Sequence, residues 1–204
     1  MRQKGEGIYR KEGNSDLWEQ FREGDADAFA ELYNLYADAL ASYGYRISND
    51  LSIVKDAIQD LFVELWRSKN SLQPVFYVKA YLFKSLRYKL LRYGKLNLLL
   101  STDERLIDEL ADEFSIESKI FRKEEEAQTA EKIRLALKTL SKRQQEAVTL
   151  KFYHGFTNEQ VAEIMNVNYQ SATNILHRSM LILRKHFSLT VLISIHFYSL
   201  LKFF

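Results

Sequence analysis

The sequence predicts an all-α protein in which two helical domains are joined by a flexible linker. Its 204 residues include only seven Gly and a single Pro, which are too few turn residues for a β-rich fold. Apolar residues recur at three- and four-residue steps through most of the chain, the spacing of amphipathic helices. An acidic segment interrupts this periodicity and separates the two helical regions.

Composition and periodicity divide the chain into five segments. A polar tail covers residues 1–16 and lacks the apolar stretch of a signal peptide. A first helical domain covers 17–97, and a second, which contains a helix-turn-helix, covers 127–187. The acidic linker, 98–126, lies between them, and an apolar tail, 188–204, follows the second domain.

The composition also limits the chemistry. The chain has no Cys, which excludes disulfide scaffolds, thiol nucleophiles and Cys-based metal sites and fits a reducing cytoplasm. The four His residues lack metal-ligand spacing, and no Gly-rich phosphate loop is present. We therefore expect no cofactor, no metal, no small-molecule substrate and no enzyme activity. Because the net charge is only +2, nucleic-acid binding would depend on local basic clusters.

The first domain is predicted to contain amphipathic helices on both sides of a turn at Gly24 and Asp25, then over 51–67 and 75–96. One face of the 51–67 helix is apolar and another is mostly acidic. The apolar residues are Ile58, Leu61, Phe62 and Leu65, and the polar ones are Asp56, Gln59, Asp60 and Glu64.

The 75–96 helix combines an apolar stripe with a basic and aromatic side. The stripe is Leu82, Phe83, Leu86 and Leu90, and the other side holds Lys84, Arg87, Tyr88 and Lys95, with Arg92 on the flank.

Helix-start signals place a helix-turn-helix in the second domain. Ser141 to Gln144 and Thr157 to Gln160 are capping boxes, which predict helices to Tyr153 and to about Met165. Asn166 tolerates the left-handed conformation of a tight turn, and Asn168 is suited to cap the next helix. That helix has an apolar face opposite Gln170, Asn174, His177 and Arg178, side chains that can contact base edges or phosphates in a major groove.

These residues carry a family resemblance. The segment 156–178, with the preceding helix 140–153, resembles the fourth conserved region of bacterial sigma factors, and the segments 56–66 and 81–92 are similar to the second region. Asn166 stands where the family usually has Gly, and Tyr88 where it usually has Asn. Because no space remains for regions one and three of larger sigma factors, the resemblance points to the extracytoplasmic-function type within the sigma-70 family.

The resemblance implies that both domains contact promoter DNA. In the second domain the −35 element would be recognised through Gln170, Ser171, Asn174, His177 and Arg178. In the first domain the −10 element would be melted and held through the third helix and the preceding specificity loop. The residues concerned are Lys84, Arg87, Tyr88, Arg92 and Lys95 on the helix and Asn70 and Gln73 in the loop. Tyr77 and Tyr81, which lie beside them, are expected to belong to the core.

The resemblance also implies protein partners. Core RNA polymerase would be bound through Asp56, Gln59, Asp60 and Glu64. An anti-sigma factor, in some members anchored in the inner membrane, would hold the chain inactive in the cytoplasm. The apolar tail 188–204 is too short for an ordinary membrane span, and we expect it to contact a partner or to pack on the second domain.

One alternative remains open at this level. The chain could be a stand-alone helix-turn-helix regulator that never binds core polymerase, with the first domain acting as a sensor or a dimerisation module. Such a protein would bind a palindrome as a dimer.

Overall fold

The computed structural model describes residues 14–100 and 133–186, with side chains from 14 to 94 and from 133 to 185. Every regular element within these two stretches is helical, which confirms the predicted fold class. The helices are α1 (Ser15–Arg22), α2 (Ala26–Ser48), α3 (Leu51–Ser68), α4 (Val78–Leu100), α5 (133–138), α6 (Lys142–Val148), α7 (Asn158–Ile164) and α8 (Tyr169–His186). A 3-10 turn, Lys69–Ser71, follows α3, and a π-helical turn, Thr149–Tyr153, follows α6.

Helices α1 to α4 form the N-terminal domain. Asp25 and Asp50 start α2 and α3, because each carboxylate accepts bonds of 2.8 and 3.1 Å from two backbone N–H groups of the first helical turn. Helix α2 then packs against α1, α3 and α4. The predicted apolar faces of α3 and α4 are buried in the core between them, together with Trp18 and Phe21 of α1.

Helix α4 differs from the predicted helix at both ends. The sequence predicts a helix over 75–96, but α4 begins at Val78 and continues to Leu100, into the predicted linker. Pro74 lies in the irregular segment before the helix, where no helical hydrogen bond is lost. Helix α1 fixes this segment: Arg22 Nε donates to the carbonyl of Leu72 at 2.7 Å, and Trp18 Nε1 donates to that of Gln73 at 3.3 Å.

Helices α5 to α8 form the C-terminal domain, and both predicted capping boxes are present in it. The backbone N–H of Gln144 donates to Ser141 Oγ at 3.3 Å, and that of Gln160 donates to Thr157 Oγ1 at 3.2 Å. In each pair the Gln side chain accepts the return bond from the cap residue. The helices start where the sequence indicates, because these side chains satisfy N–H groups that the helix itself leaves unpaired.

The turn between α7 and α8 also has the predicted conformation. Asn166 is left-handed, with φ of 52°. Two residues later, Asn168 Oδ1 accepts a 2.7 Å bond from the backbone N–H of Ser171 and so caps α8. Helices α7 and α8 therefore form the helix-turn-helix that the sequence predicts.

The two domains pack directly on each other, which the sequence does not indicate. Helix α7 lies against α4, and α6 lies against α2. The ring of Phe83 on α4 meets the ring of Phe156 before α7, with centroids 5.0 Å apart. Buried apolar residues of both domains consequently belong to one continuous core.

Several predicted segments lie wholly or largely outside the described residues. They are the polar tail 1–16, the acidic linker 98–126 and the apolar tail 188–204, and the contact expected of the apolar tail stays a prediction. Among the helices that the structure describes, none has the length and apolar character needed to cross a bilayer.

Candidate nucleic-acid interface

Helix α8 has one buried and one exposed face. Its inner face packs against α6 and α7 through Ala172, Leu176, Ser179 and Leu183. Of the five residues predicted to contact the −35 element, Gln170, Asn174, His177 and Arg178 are exposed and Ser171 is half-buried. Gln170 Nε2 donates to Asn174 Oδ1 at 3.3 Å, one helical turn away. This exposed face offers amide, imidazole and guanidinium groups, which are the donors and acceptors that base edges require.

Helix α4 presents the predicted basic and aromatic side above its buried stripe. Tyr88 is 71% exposed, and Lys84 and Arg92 are exposed as well, whereas Arg87 is half-buried. Lys95 belongs to the helix, but its side chain lies outside the described part. A cationic helix face with an exposed aromatic ring can attract phosphates and stack on an unpaired base.

The predicted specificity loop lies directly before α4. Asn70 and Gln73 are exposed, while the loop backbone is held by the bonds from α1 described above. Phe76 is 78% exposed, and the sequence interpretation missed it, although an aromatic residue beside a predicted base-binding loop was a usable signal.

The expected burial of Tyr77 is wrong, since this side chain is 45% exposed. Tyr77 is the last irregular residue before α4, so it is not part of the buried face of the helix. Tyr81, one turn into the helix, is half-buried and packs edge-on against Trp18 with ring centroids 5.3 Å apart.

A groove of about 760 Å³ runs between α3, α4 and the helix-turn-helix. Leu61 and Leu65 of α3 line it, and Ile164 and Asn166 contribute from the C-terminal domain. Basic and aromatic residues of α4 also line it, namely Lys84, Arg87, Tyr88, Lys89 and Arg92. The candidate −10 residues on α4 therefore border a concave surface that both domains share.

The four predicted polymerase-binding residues of α3 form an acidic stripe, and all four are exposed: Asp56, Gln59, Asp60 and Glu64. Two of them are linked to α4: the Tyr93 hydroxyl donates to Asp60, and the buried Lys89 ammonium donates to Glu64. The hydrogen bond to Asp60 raises the pKa of Tyr93 to about 12. These bonds fix the acidic stripe relative to the basic face of α4.

Ion pairs cross from α4 to the C-terminal domain. Arg87 Nε donates to Glu146 Oε1 at 2.6 Å, and Lys84 Nζ donates to Glu163 Oε1 at 3.0 Å. Lys79 Nζ also donates to the backbone carbonyl of His154 at 2.7 Å. Two of the residues predicted to bind the −10 element are thus paired with carboxylates of the other domain, partners that the sequence interpretation did not identify.

The fold is that of a helical, two-domain protein whose C-terminal domain contains a helix-turn-helix. Family models match both domains: "Sigma-70 region 2" covers residues 32–95, and "Sigma-70, region 4" covers residues 130–183. Together they account for more than half of the chain, which belongs to the sigma-70 family. It is a sigma factor, a transcription initiation factor that acts with core RNA polymerase at promoter DNA. The stand-alone regulator is not favoured, because the first domain matches region 2.

Solved structures share the fold. CnrH, in complex with the cytosolic domain of CnrY, is 19% identical with a TM-score of 0.57, and the match covers 84% of this chain and 95% of CnrH. The sigma factor RpoE, in complex with the anti-sigma factor NepR from Bartonella quintana, is 21% identical with a TM-score of 0.59. That match covers 78% of this chain and 95% of RpoE. A search of curated protein sequences gave no significant match.

Proposed function

We propose that the chain is a sigma factor of the extracytoplasmic-function type that contacts the −35 element with α8 and the −10 element with α4 and the loop before it. The observation that supports this most directly is the presence of two separate polar faces, one in each matched region. Each face combines hydrogen-bonding or cationic side chains with a well-packed inner surface.

The α8 face is suited to duplex DNA. Its exposed residues begin in the first turn of a capped helix, which is the end that enters a major groove in helix-turn-helix proteins. Arg178 can donate two parallel bonds to a guanine, and the amides of Gln170 and Asn174 can pair with an adenine. We expect Ser171 and His177 to contact the phosphates or the bases next to them.

The α4 face is suited to a melted strand. Tyr88 projects from a helix whose inner residues are fully packed, so its ring is available to stack on an extruded base. Lys84, Arg87 and Arg92, and Lys95 farther along the helix, supply charge for the backbone of that strand. Asn70 and Gln73 supply amide groups at the loop that precedes the helix.

The acidic stripe on α3 is the proposed contact with core polymerase. Asp56, Gln59, Asp60 and Glu64 are exposed along one side of a helix that is fixed by its buried face. Because Asp60 and Glu64 are also bonded to α4, docking on the stripe would be coupled to the position of the −10 face. We propose that this coupling orients α4 towards the melted strand.

We also propose that an anti-sigma factor binds this chain in the cytoplasm. CnrH and RpoE, which share the fold, are each in complex with a partner protein, CnrY and the anti-sigma factor NepR respectively. Membrane anchoring through such a partner, and contact between it and the tail 188–204, are part of the same proposal. Truncation after residue 186 should then reduce the amount of anti-sigma factor that co-purifies from cells, without changing run-off transcription by the purified chain with core polymerase.

The −35 assignment is tested by run-off transcription with sigma-free core polymerase and by binding of a −35 duplex. We expect Arg178→Ala to lose about 1–3 kcal/mol of discrimination between the matched duplex and one with a scrambled −35 sequence. Arg178→Lys is the matched control, because it keeps the charge for phosphates but lacks the rigid planar fork of the guanidinium, whose parallel N–H groups match the O6 and N7 atoms of a guanine. Equal discrimination by Arg178→Ala and the unchanged chain would show that Arg178 does not recognise the bases of the −35 element.

The −10 assignment is tested at Tyr88 with core polymerase and a fork-junction promoter. We expect Tyr88→Ala to weaken binding of the single-stranded −10 segment by about 1–3 kcal/mol, whereas Tyr88→Phe keeps the stacking ring and most of the affinity. Truncation of a side chain this exposed leaves the core unchanged, so thermal stability serves as the internal control. If Phe and Ala variants lose the same affinity, stacking is not the role of this ring.

A further inference from the structure

The C-terminal domain covers part of the proposed −10 face. Glu146, on α6, receives two bonds from Arg87, from Nε at 2.6 Å and from Nη2 at 3.4 Å. Glu163, on α7, receives one bond from Lys84. Both cations belong to the face that would hold melted DNA, and both are bonded here to carboxylates, the chemical group that most resembles a phosphate in charge and hydrogen bonding.

The contact at Glu146 is shielded from solvent. The side chain of Arg87 is 17% exposed and that of Glu146 is 14% exposed, so water screens this pair far less than a surface ion pair. The Tyr43 hydroxyl donates a third bond to Glu146 at 2.9 Å. Burial, followed by the negative charge of Glu146, raises the pKa of Tyr43, which keeps the hydroxyl protonated as a donor. Glu146 therefore has partners on both α2 and α4.

Apolar contacts surround these bonds. Phe83 packs edge-on against His154 and Phe156, with centroid distances of 4.7 and 5.0 Å, and His154 is buried. The ammonium of Lys79 bonds to the His154 carbonyl and also lies 5.1 Å from the centre of the Phe156 ring. The interface thus combines specific polar contacts with an aromatic centre, the composition of a defined docking surface.

In this arrangement α4 and α8 lie too close together to contact both promoter elements at once. Elements near −35 and −10 are separated by about 25 base pairs, or about 85 Å of duplex at 3.4 Å per pair. Helix α7 packs against both α4 and α8, and packed helices lie about 8–10 Å apart, so α4 and α8 are within about 20 Å of each other. Residues 101–132 can span at most about 110 Å when extended, which is sufficient for the domains to separate.

We propose that Glu146, assisted by Glu163, is an intramolecular latch that keeps the −10 face closed in the free chain. This inference rests on the proposed function of α4. In the closed form Arg87 and Lys84 are occupied, while the −35 face on α8 stays exposed. Opening the latch releases Arg87 and Lys84 from their carboxylate partners and allows the domains to separate by the distance that a promoter requires.

The latch is tested with the full-length chain without core polymerase. Two quantities are measured for each variant: binding of a fluorescent single-stranded −10 oligonucleotide, and the radius of gyration by small-angle X-ray scattering. If the open form is about 1–10% populated, complete opening raises the apparent affinity for the oligonucleotide about 10- to 100-fold. We expect Glu146→Gln, alone and combined with Glu163→Gln, to bind more tightly and to increase the radius of gyration.

Glu159→Gln is the matched control. It removes the same charge from α7, but the Glu159 carboxylate interacts locally, with its own backbone N–H and the Thr157 hydroxyl at the start of the helix, and these bonds lower its pKa. A gain in affinity that came only from reduced negative charge would appear equally in Glu159→Gln, and this outcome overturns the latch. Glu163 is 57% exposed, so Glu163→Gln keeps the test informative if Glu146→Gln folds poorly.

The two measurements separate failure of the latch from failure of the proposed −10 interface. No change in either quantity overturns the latch and leaves the −10 assignment intact, because Tyr88→Ala tests that assignment with polymerase. A larger radius of gyration without tighter binding of the oligonucleotide also overturns the proposal. In that case the domains separate, and the assignment of the −10 face is the part that is wrong. Tighter binding together with expansion supports both.

Discussion

Helix α2 lies close to both α3 and α4 at Gly44. A Cβ there would lie 2.7 Å from Val54 Cγ1 on α3 and 3.3 Å from Leu90 Cδ1 on α4, and both of those residues are buried. We expect Gly44→Ala to lower the free energy of unfolding by about 1–3 kcal/mol, because overpacking outweighs the gain of about 0.5–1 kcal/mol in helix propensity. Urea unfolding followed by circular dichroism measures this change.

Gly94, on α4, is the natural comparison. A Cβ at this helical glycine meets no atom within 4 Å, so only the helix propensity changes. We expect Gly94→Ala to raise the free energy of unfolding by about 0.5–1 kcal/mol. Stabilisation by both substitutions would mean that α2 is not packed as closely as the structure indicates.

At the scale of single residues, the sequence predicted the buried and exposed faces of α4, although not the exposure of Tyr77 before it, and it did not predict what the exposed side chains contact. The buried stripe of α4 and the exposure of Tyr88 follow from a period of 3.6 residues, which is a local property. The pairing of Arg87 with Glu146 joins residues 59 positions apart, and that of Lys84 with Glu163 joins residues 79 positions apart. No local pattern selects these partners from the many carboxylates of the chain.

The turn of the helix-turn-helix contains one residue with a left-handed backbone conformation. Asn166 is left-handed, with φ of 52°, at the position where the family usually has Gly. We expect Asn166→Ala to destabilise the chain by about 1–2 kcal/mol, and Asn166→Gly to leave its stability within about 0.5 kcal/mol of the unchanged chain. Thermal unfolding of the two variants measures the difference, and equal stability would show that the turn relaxes to another conformation.

Elements with chemical start and stop signals were predictable, and elements shaped by packing were not. Two capping boxes and two Asn residues located α6, α7 and α8 to within about a residue at their starts. The sequence predicts one regular helix from Ser141 to Tyr153, but the structure widens into a π-helical turn after Val148. This turn ends directly before His154, and both His154 and Phe156 contact Phe83 of the other domain, a contact that no local pattern of the sequence indicates.

For the molecule as a whole, the sequence predicted two helical domains in the right order but not their contact. The acidic linker and the two family resemblances describe modules, and modules alone do not indicate whether they dock. The structure adds a shared core and a set of polar contacts between domains. These contacts carry the proposed control of the −10 face, which would therefore depend on residues of both domains rather than of either one.

The interface between domains also has a titratable group at its centre. His154 lies against the rings of Tyr43, Phe83, Tyr153 and Phe156, and Lys79 and Arg46 face it from α4 and α2. Burial, followed by the charges of Lys79 and Arg46, lowers the pKa of His154 to about 4 from an ordinary value of 6.5. The folded, closed form therefore keeps this imidazole neutral at pH values where an exposed imidazole is protonated.

The expected pH dependence follows from proton linkage. Between pH 6.5 and about 4, an opened or unfolded chain binds a proton at His154 that the closed form does not, so stability falls as the pH falls through this range. At 1.36 kcal/mol per pH unit, the loss reaches at most about 3 kcal/mol. We expect His154→Phe, which keeps an aromatic ring but cannot titrate, to unfold in urea with a flatter pH dependence between pH 5 and 6.5. Because the two proteins differ only at this residue, an identical slope would mean that His154 is already protonated in the closed form.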